Sequence, residues 1–305
     1  MSDRRPDAND DRTAPDGGTA ERRRFAAESS GLGFRPHPRK ALTLADREYR
    51  VVARSRWPVG IAALFVVVST AVALASGAGV GATRAGAVVV SLAEFAVYLV
   101  PLAALTFGYG TVVGAAERGT LDMLFALPVP RRCVLVGTYL GRALALVSAL
   151  VVGLGVGGVV LVADAAGAAG VPPYARLVAA AVAAGLAFLA VGVLVSTAAR
   201  ERTHALGGAL LAWVWFVFAH DLVALAAVVT LRPPDPVVTA LVLANPADLF
   251  RVVVLAGVET TGGGVSAVLA SSALSTPLAA AGLLVWVVAP LAAAVALVGR
   301  VDSRA

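Results

Sequence analysis

The sequence predicts an all-α integral membrane protein with six transmembrane helices. Of its 305 residues, 59% are hydrophobic and 14% are charged, whereas an ordinary soluble domain has about 25% charged residues. Apolar runs of roughly 20 residues, the length that a helix needs to cross about 30 Å of hydrocarbon, recur along the chain. These runs are continuous rather than alternating, which favours helices over the strands of a membrane barrel.

The membrane domain is predicted over residues 58–300. Its six spans are expected at about residues 58–76, 88–113, 143–163, 177–199, 203–231 and 278–298. Pro101 lies inside the second span and predicts a kink there. Thr276 followed by Pro277 is a typical helix start and predicts the beginning of the last span.

The residues before the first span divide into two parts. Residues 1–41 are rich in Asp, Arg, Pro, Gly and Ser without apolar periodicity, which predicts a disordered tail. Residues 42–57 have apolar side chains at helical spacing, with arginines on the opposite side: Ala45, Tyr49, Val52 and Trp57 against Arg47, Arg50 and Arg54. We expect an amphipathic helix in the membrane interface. The alternative is a solvated helix that simply leads into the first span.

The distribution of basic residues predicts the orientation of the chain. Of the 25 Lys and Arg residues, 21 lie before the first span, in the second and fourth connections, or after the last span. Because such residues accumulate in cytoplasmic loops, both termini are expected in the cytoplasm of a multi-pass protein of the cell membrane. Residues 114–142 are then cytoplasmic, and residues 232–277 are extracytoplasmic.

The cytoplasmic connection of residues 114–142 is predicted to contain a short helix. Gly119 can end the second span, and Thr120 can cap a new helix after it. Leu121, Leu124 and Phe125 share one face of this helix, and prolines at 128 and 130 end it. The pattern indicates an amphipathic helix across the membrane surface. The alternative, on spacing alone, is a capped interfacial helix without a partner.

Several kinds of chemistry are excluded by residue content. Lys40 is the only lysine and is followed by Ala41, so the Gly-Lys-Ser/Thr ending of a phosphate-binding loop is absent. Any ATP must therefore be hydrolysed by another chain. Cys133 is the only cysteine, which excludes an internal disulfide. Two methionines and three scattered histidines form no series of metal ligands, and no nucleophile elbow or zinc-protease motif is present. We expect no catalytic, cofactor-binding or metal-binding residues in this chain, and no nucleic-acid partner.

Three ionisable residues lie inside predicted spans, namely Glu94, His220 and Asp221. Such residues cost roughly 2.5 to 3.5 kcal/mol each at the bilayer centre and usually face a protein interior or a cavity. All three fall in the outer part of their spans, which predicts a polar outer vestibule or a helix-packing network. Because successive helical positions point about 100° apart, His220 and Asp221 are not expected to face one cavity together.

The long extracytoplasmic connection of residues 232–277 is predicted to contain a short helix. Asn245-Pro246-Ala247-Asp248 is a strong helix start. An apolar face follows before Gly257, formed by Leu249, Phe250, Val253 and Val254. We expect this helix to lie on the membrane or to dip into it.

The cytoplasmic connection also resembles a known family, the permeases of type-2 ABC transporters. The similar stretches are Glu117-Arg118-Gly119-Thr120-Leu121, Leu127-Pro128-Val129-Pro130-Arg131, and Gly137 with Gly141. The resemblance implies a homodimer and a coupling helix that docks on a cytoplasmic ATPase, which binds ATP and Mg. The residues expected to couple to the ATPase are Glu117, Arg118, Gly119, Thr120, Leu121, Leu124, Pro128, Arg131 and Arg132. Ala116 and Thr138 depart from the family pattern.

Other stretches resemble one subgroup, the permeases of nitrous oxide reductase maturation systems. They are Asp46-Arg47-Glu48, Arg54-Ser55-Arg56-Trp57, Pro101-Leu102 with Gly108-Tyr109, and residues 245–251. The resemblance implies a dedicated ATPase and an extracytoplasmic accessory protein that helps to assemble the copper site of the reductase. The residues expected to contact this partner are Asn245, Pro246, Asp248, Phe250 and Arg251.

The favoured hypothesis is a permease that couples a separate ATPase to an extracytoplasmic event, copper-site maturation of nitrous oxide reductase. The first alternative is a type-2 exporter of a lipid, a drug or another hydrophobic substrate, with the vestibule near Glu94 as its path. A second alternative is an intramembrane enzyme that uses Glu94, His220 and Asp221.

Overall fold

A computed structural model describes residues 38–75, 80–114, 131–163, 167–231, 233–256 and 274–302. These residues form helices and short connections, and no strand occurs among them. The first five helices are α1 (Pro38–Arg54), α2 (Arg56–Ala75), α3 (Gly81–Gly108), α4 (Arg131–Leu161) and α5 (Val171–Ala198), the last preceded by a 3-10 turn at Gly167–Gly170. The others are α6 (Arg202–Val214), α7 (His220–Leu231), α8 (Asp235–Leu243), α9 (Pro246–Leu255) and α10 (Thr276–Asp302), with a π-helix at Trp215–Ala219 between α6 and α7.

The predicted fold class is confirmed, because six helical stretches are long and apolar enough to cross a membrane. They are α2, α3, α4, α5, the continuous stretch from α6 to α7, and α10. The predicted spans overlap all six, but α3 and α4 begin earlier than expected, at Gly81 and Arg131. A helix continues beyond its most apolar stretch as long as its backbone bonds and packing allow, so apolar length alone misplaces its ends.

The central helices of the bundle are α3 and α5. In each of them, 61% of the most apolar 18-residue stretch is buried inside the chain, whereas the share is 11% in the fifth span and 17% in α10. Exposed apolar side chains such as Leu211, Leu222 and Val285 cover these outer helices. Such surfaces suit contact with lipid tails or with another apolar protein surface.

Helix α1 packs along the first turns of α4. A Cβ atom on Gly141 would lie 2.6 Å from the carbonyl oxygen of Ala45 and 2.7 Å from Cβ of Glu48, so the two backbones touch. The amphipathic helix was therefore predicted correctly as a helix, but its apolar side is covered by protein. Its end was misplaced, because α1 ends at Arg54 and Trp57 belongs to α2.

Helices α8 and α9 form a bent pair in the connection that was predicted to be extracytoplasmic. The two helix axes differ in direction by 106°. Helix α9 packs against α3, α5 and α10, and a Cβ atom on Gly282 of α10 would lie 2.9 Å from Leu249. The predicted short helix is thus present, preceded by a second helix that the sequence did not predict. Helix α9 is inserted into the bundle rather than lying on its surface.

Two predicted segments lie largely outside the described residues. They are the tail of residues 1–37 and residues 115–130, which include the predicted coupling helix. Residues 38–41, predicted to belong to the disordered tail, are part of α1. We call the end of the bundle where α3 ends and α6 begins the basic end, since Arg142 and Arg202 contact Phe107 and Tyr109 there.

Candidate functional site

The fifth span is irregular where it approaches its ionisable residues. Its α-helical pattern is interrupted by the π-helix Trp215–Ala219, and His220 follows directly. A π-helical turn contains an additional residue and leaves backbone carbonyls available, and such turns frequently occur at functional sites. Here the Nδ2 atom of Asn245 donates to the carbonyl oxygen of Phe216 at 2.9 Å. The irregular turn therefore connects the fifth span to the start of α9.

A cluster of buried ionisable groups joins the fifth span to α9. We call it the ionic cluster, and its members are His220, Asp221, Asn245, Asp248 and Arg251. The NH1 atom of Arg251 donates to Asp221 Oδ2 at 2.8 Å and to Asp248 Oδ1 at 2.9 Å. His220 Nδ1 lies 3.2 Å from Asp248 Oδ2 and 3.0 Å from Asn245 Nδ2. The four ionisable side chains are between 4% and 12% exposed.

Asn245 of this cluster also caps a helix. Its Oδ1 atom accepts a hydrogen bond from Ala247 N at 2.9 Å and so caps the first turn of α9. The helix start predicted from Asn245-Pro246 is therefore confirmed. Asn245 bonds to the amino-terminal turn of α9 and to the carbonyl oxygen of Phe216. It therefore fixes the start of α9 against the π-helix.

His220 and Asp221, which were not expected to face one cavity together, belong to one network in this structure. His220 contacts Asp248 of α9, and Asp221 contacts Arg251 of α9. Asp248 and Arg251 lie about one helical turn apart and are themselves bonded. Neighbouring positions of the fifth span therefore join the same network through α9.

The residues predicted to contact an extracytoplasmic partner are buried, and the contact itself stays a prediction. Asn245, Asp248, Phe250 and Arg251 are buried inside this chain. Their side chains pack within the bundle in this arrangement, so they offer no surface to a partner. Pro246, the fifth residue of that prediction, is also buried.

Glu94 is not bonded into the ionic cluster. It is exposed on α3, next to Phe95 in the sequence, which is 51% exposed. Its negative charge acts on the guanidinium of Arg251 without a direct bond. Of the three predicted vestibule residues, Glu94 therefore lies on the surface of the bundle, whereas the side chains of His220 and Asp221 are buried.

The donor set of the ionic cluster suits an internal ion network better than a metal site. Ligand atoms of His220, Asp221 and Asp248 lie within 4.8 Å of one another. However, the guanidinium of Arg251 is bonded to both carboxylates and supplies the compensating charge. A metal cation would have to displace this group. The arrangement can lock α9 to α7, and we assign it that role.

The residues predicted to couple to an ATPase are described only at Arg131 and Arg132. These open α4, with Arg131 partly buried and Arg132 exposed. The other predicted coupling residues, Glu117 to Pro128, lie outside the described residues. Their assignment remains a prediction.

The basic end holds polar contacts that the sequence did not predict. Arg142 of α4 donates through Nε to Glu48 of α1 at 3.1 Å, and Ser196 of α5 accepts from backbone amides after α3. The available signal was weak: Arg142 interrupts an apolar run, and Glu48 lies on the side of α1 that carries Ala45 and Tyr49. Only the packing of α1 on α4 brings these charges together.

Comparisons with known proteins identify the family. The family model described as "ABC-2 family transporter protein" matches residues 42–303. A protein of Pseudomonas aeruginosa named "Probable ABC transporter permease protein NosY" is 34% identical over 263 residues, covering 84% of this chain and 94% of the relative. A protein of Stutzerimonas stutzeri with the same name is 32% identical over 267 residues, covering 84% and 97%. Because the match extends through all six spans and both relatives are similar over nearly their whole length, this chain belongs to the ABC-2 family of transporter proteins.

Proposed function

We propose that this chain is the permease subunit of an ABC transporter complex and couples ATP hydrolysis by a separate ATPase to an extracytoplasmic event. The event is the maturation of the copper site of nitrous oxide reductase. Family membership and the names of two relatives support the permease assignment. The absent phosphate-binding motif supports an ATPase on another chain.

In the proposed orientation the two ends of the bundle lie on opposite sides of the membrane. The basic end faces the cytoplasm, in keeping with the bias of Lys and Arg. His220 follows Arg202 by about five helical turns, which corresponds to roughly 27 Å along the fifth span. The ionic cluster therefore lies far from the basic end, in the outer part of the membrane.

The observation that carries the proposal is the ionic attachment of α9 to the fifth span. Removing one partner of a buried ion pair costs about 3 to 5 kcal/mol, so Asp221, Asp248 and Arg251 resist separation. Movement of the fifth span consequently has to carry α9 with it. The outer connection between residues 256 and 274 follows directly after α9, so a displacement of the spans reaches the extracytoplasmic surface.

Reductase maturation is the proposed event because of the subgroup to which the chain is similar. Both relatives carry the NosY name. Residues 46–48 and 245–251 are among the stretches that resemble the permeases of nitrous oxide reductase maturation systems. In this proposal the chain transmits movement to an extracytoplasmic accessory protein. The buried ionic cluster positions the outer connection, and the exposed outer surface contacts the partner.

The proposed complex contains two copies of this chain and two ATPase subunits. The fifth span and α10 are little buried, at 11% and 17% of their most apolar stretches. Their exposed surfaces leave room for lipid and for a second copy. Residues 117–132 form the contact with the ATPase, with Leu124 as its apolar anchor. The resident nucleotide and Mg belong to the ATPase.

One observation favours a second candidate function, the export of a hydrophobic substrate. Glu94 and Phe95 are exposed together on α3, so a polar group and a large apolar ring share a surface inside the predicted membrane. The two functions differ in genetic context. Neighbouring genes for a reductase, a copper chaperone and a periplasmic repeat protein favour maturation, and a lone ATPase gene favours export.

The coupling assignment is tested by producing the chain together with the ATPase encoded beside it. We expect Leu124→Asp and Glu117→Ala to weaken complex formation or ATP turnover by about tenfold or more, the usual effect of losing a central interface residue. Leu42→Asp is the control, since Leu42 is 61% exposed on α1 and lies outside both the predicted spans and the predicted coupling residues. Unchanged assembly and turnover in both coupling variants would remove the assignment.

A further inference from the structure

The chain leaves α3 through a backbone held tightly against α5. A Cβ atom on Gly108 would lie 2.8 Å from the Cα atom of Gly192, so the two helices touch through their backbones. About one turn further along α5, the fully buried Ser196 Oγ accepts hydrogen bonds from Val112 N at 3.0 Å and Val113 N at 3.4 Å. The amides of the fourth and fifth residues beyond α3 are thereby fixed to α5.

The same exit is held from the other side by Arg142. Its guanidinium donates to the carbonyl oxygen of Phe107 in the last turn of α3. It also donates to Glu48 Oε1 of α1 at 3.1 Å, and these two side chains are 15% and 25% exposed. A cation at the carboxyl end of a helix is favourable to the helix dipole. One side chain therefore joins α1, α3 and α4.

These contacts hold the residues that come directly before the connection between Val113 and Arg131, and the residues that follow it begin α4. The residues before it are bonded to α5 by Ser196 and to α4 by Arg142. The residues after it continue as α4, along which α1 is packed. A displacement of the end of α3 consequently acts on α1, α4 and α5 as well.

We propose that Ser196 and the Glu48–Arg142 pair are positioning residues for energy transmission: they tie the end of α3 to α1, α4 and α5, so that movement imposed on the cytoplasmic connection turns these helices together. This inference rests on the proposed function. It assigns the transmission to contacts inside the permease, away from the surface predicted to touch the ATPase. A purely structural contact would instead change stability and leave the response to ATP intact.

The chain offers a matched control one residue away. Thr197 also lies on α5, but its hydroxyl donates to Val193 O of its own helix at 2.8 Å. Thr197→Ala removes a hydroxyl from the same turn without releasing the exit from α3. Arg142→Lys is the conservative variant, because it keeps a cation and a donor at that position.

The test uses the full chain in complex with its ATPase in lipid vesicles. Cys133 is the only cysteine, so a Cys133→Ala background allows one reporter cysteine at Val80, which is 75% exposed just before α3. Two quantities are measured: the rate of ATP hydrolysis, and the change that ATP causes in the labelling rate of Val80→Cys by a membrane-impermeant maleimide. Complex formation is measured in parallel.

We expect Ser196→Ala and Arg142→Met to assemble and to hydrolyse ATP, while the labelling change per ATP hydrolysed falls roughly fivefold or more. Thr197→Ala should match the parent, and Arg142→Lys should recover part of the response. A full labelling change in both Ser196→Ala and Arg142→Met would overturn the inference, as would an equal loss in Thr197→Ala. If Ser196→Ala does not accumulate and Arg142→Met behaves like the parent, the contacts are structural and the inference is wrong. A parent complex that fails to assemble or to respond to ATP would instead overturn the proposed function, and this inference with it.

Discussion

At the scale of single residues, Arg251 is the centre of the ionic cluster. One of its terminal nitrogens bonds to Asp221 of α7 and to Asp248 of α9. Each carboxylate would otherwise carry an uncompensated charge in a buried place, which is costly. Arg251 thereby makes the presence of two acidic residues compatible with a membrane-embedded bundle.

The removal of this guanidinium tests its role. We expect Arg251→Met to lower the thermal unfolding midpoint of the detergent-solubilised protein, because it removes the guanidinium from two buried carboxylates and leaves Asp221 without an ionic partner in the cluster, at a cost of about 3 to 5 kcal/mol. Adding Asp221→Asn and Asp248→Asn should restore part of the loss. Unfolding can be followed by the decay of the monodisperse peak in size-exclusion chromatography after heating.

An exposed pair provides the control for this measurement. Arg50 and Asp46 form an ion pair on α1 with side chains 70% and 57% exposed, and such surface pairs contribute little. Arg50→Met should leave the midpoint nearly unchanged. Equal midpoints for Arg251→Met and Arg50→Met would show that the ionic cluster does not hold α9.

The sequence predicted part of this site and could not predict the remainder. The cost of ionisable residues in a membrane singled out His220 and Asp221. Their partners Asp248 and Arg251 lie nearly 30 positions further along, in a connection whose polar residues predicted an external segment. Pairing over this distance depends on where α9 packs, which no local pattern contains.

At the scale of helices, glycines decide which surfaces can touch. Gly137 and Gly141 of α4 face α1, and Gly153 and Gly157 face α2. A stripe of small residues permits close contact between helix backbones, which strengthens packing in a membrane. Helix α4 therefore serves as the surface along which α1 and α2 both lie.

Two alanine substitutions on α4 separate this packing effect from helix propensity. Gly141→Ala should destabilise the contact with α1, since its Cβ atom would meet Ala45 and Glu48 at under 3 Å. Gly155→Ala should be neutral or stabilising, because nothing lies within 4 Å of its Cβ position and alanine favours helix by about 1 kcal/mol over glycine. The measurements are the thermal midpoint and the rate at which protease cleaves within α1. The account of α1 fails if the two variants behave alike.

Helical periodicity predicted α1 and α9 as elements but not their surroundings. An apolar face at helical spacing shows that one side is covered. It does not distinguish coverage by lipid from coverage by protein in a chain whose other helices are apolar on all sides. Helix α8 was missed because its start, Pro233-Pro234-Asp235-Pro236, has the composition of a loop, although Pro236 also suits the first turn of a helix.

At the scale of the whole molecule, the ion pairs that join different helices lie at two levels of the described part of the bundle. One is the basic end, with Glu48, Arg142 and Ser196 around the exit from α3. The other is the ionic cluster, which joins the fifth span to α9. Between them lie long helices whose backbone bonds are satisfied internally, as a membrane requires. This distribution suits a protein that transmits displacement from one side of a membrane to the other.

The central claim is that this chain links ATP hydrolysis to the maturation of nitrous oxide reductase. The most direct test measures the copper content and activity of the reductase in a strain of the source organism that lacks this chain. We predict an apo-reductase without activity, restored by the intact chain and by Leu42→Asp but not by Leu124→Asp. A fully copper-loaded, active reductase in the strain that lacks this chain would contradict the account.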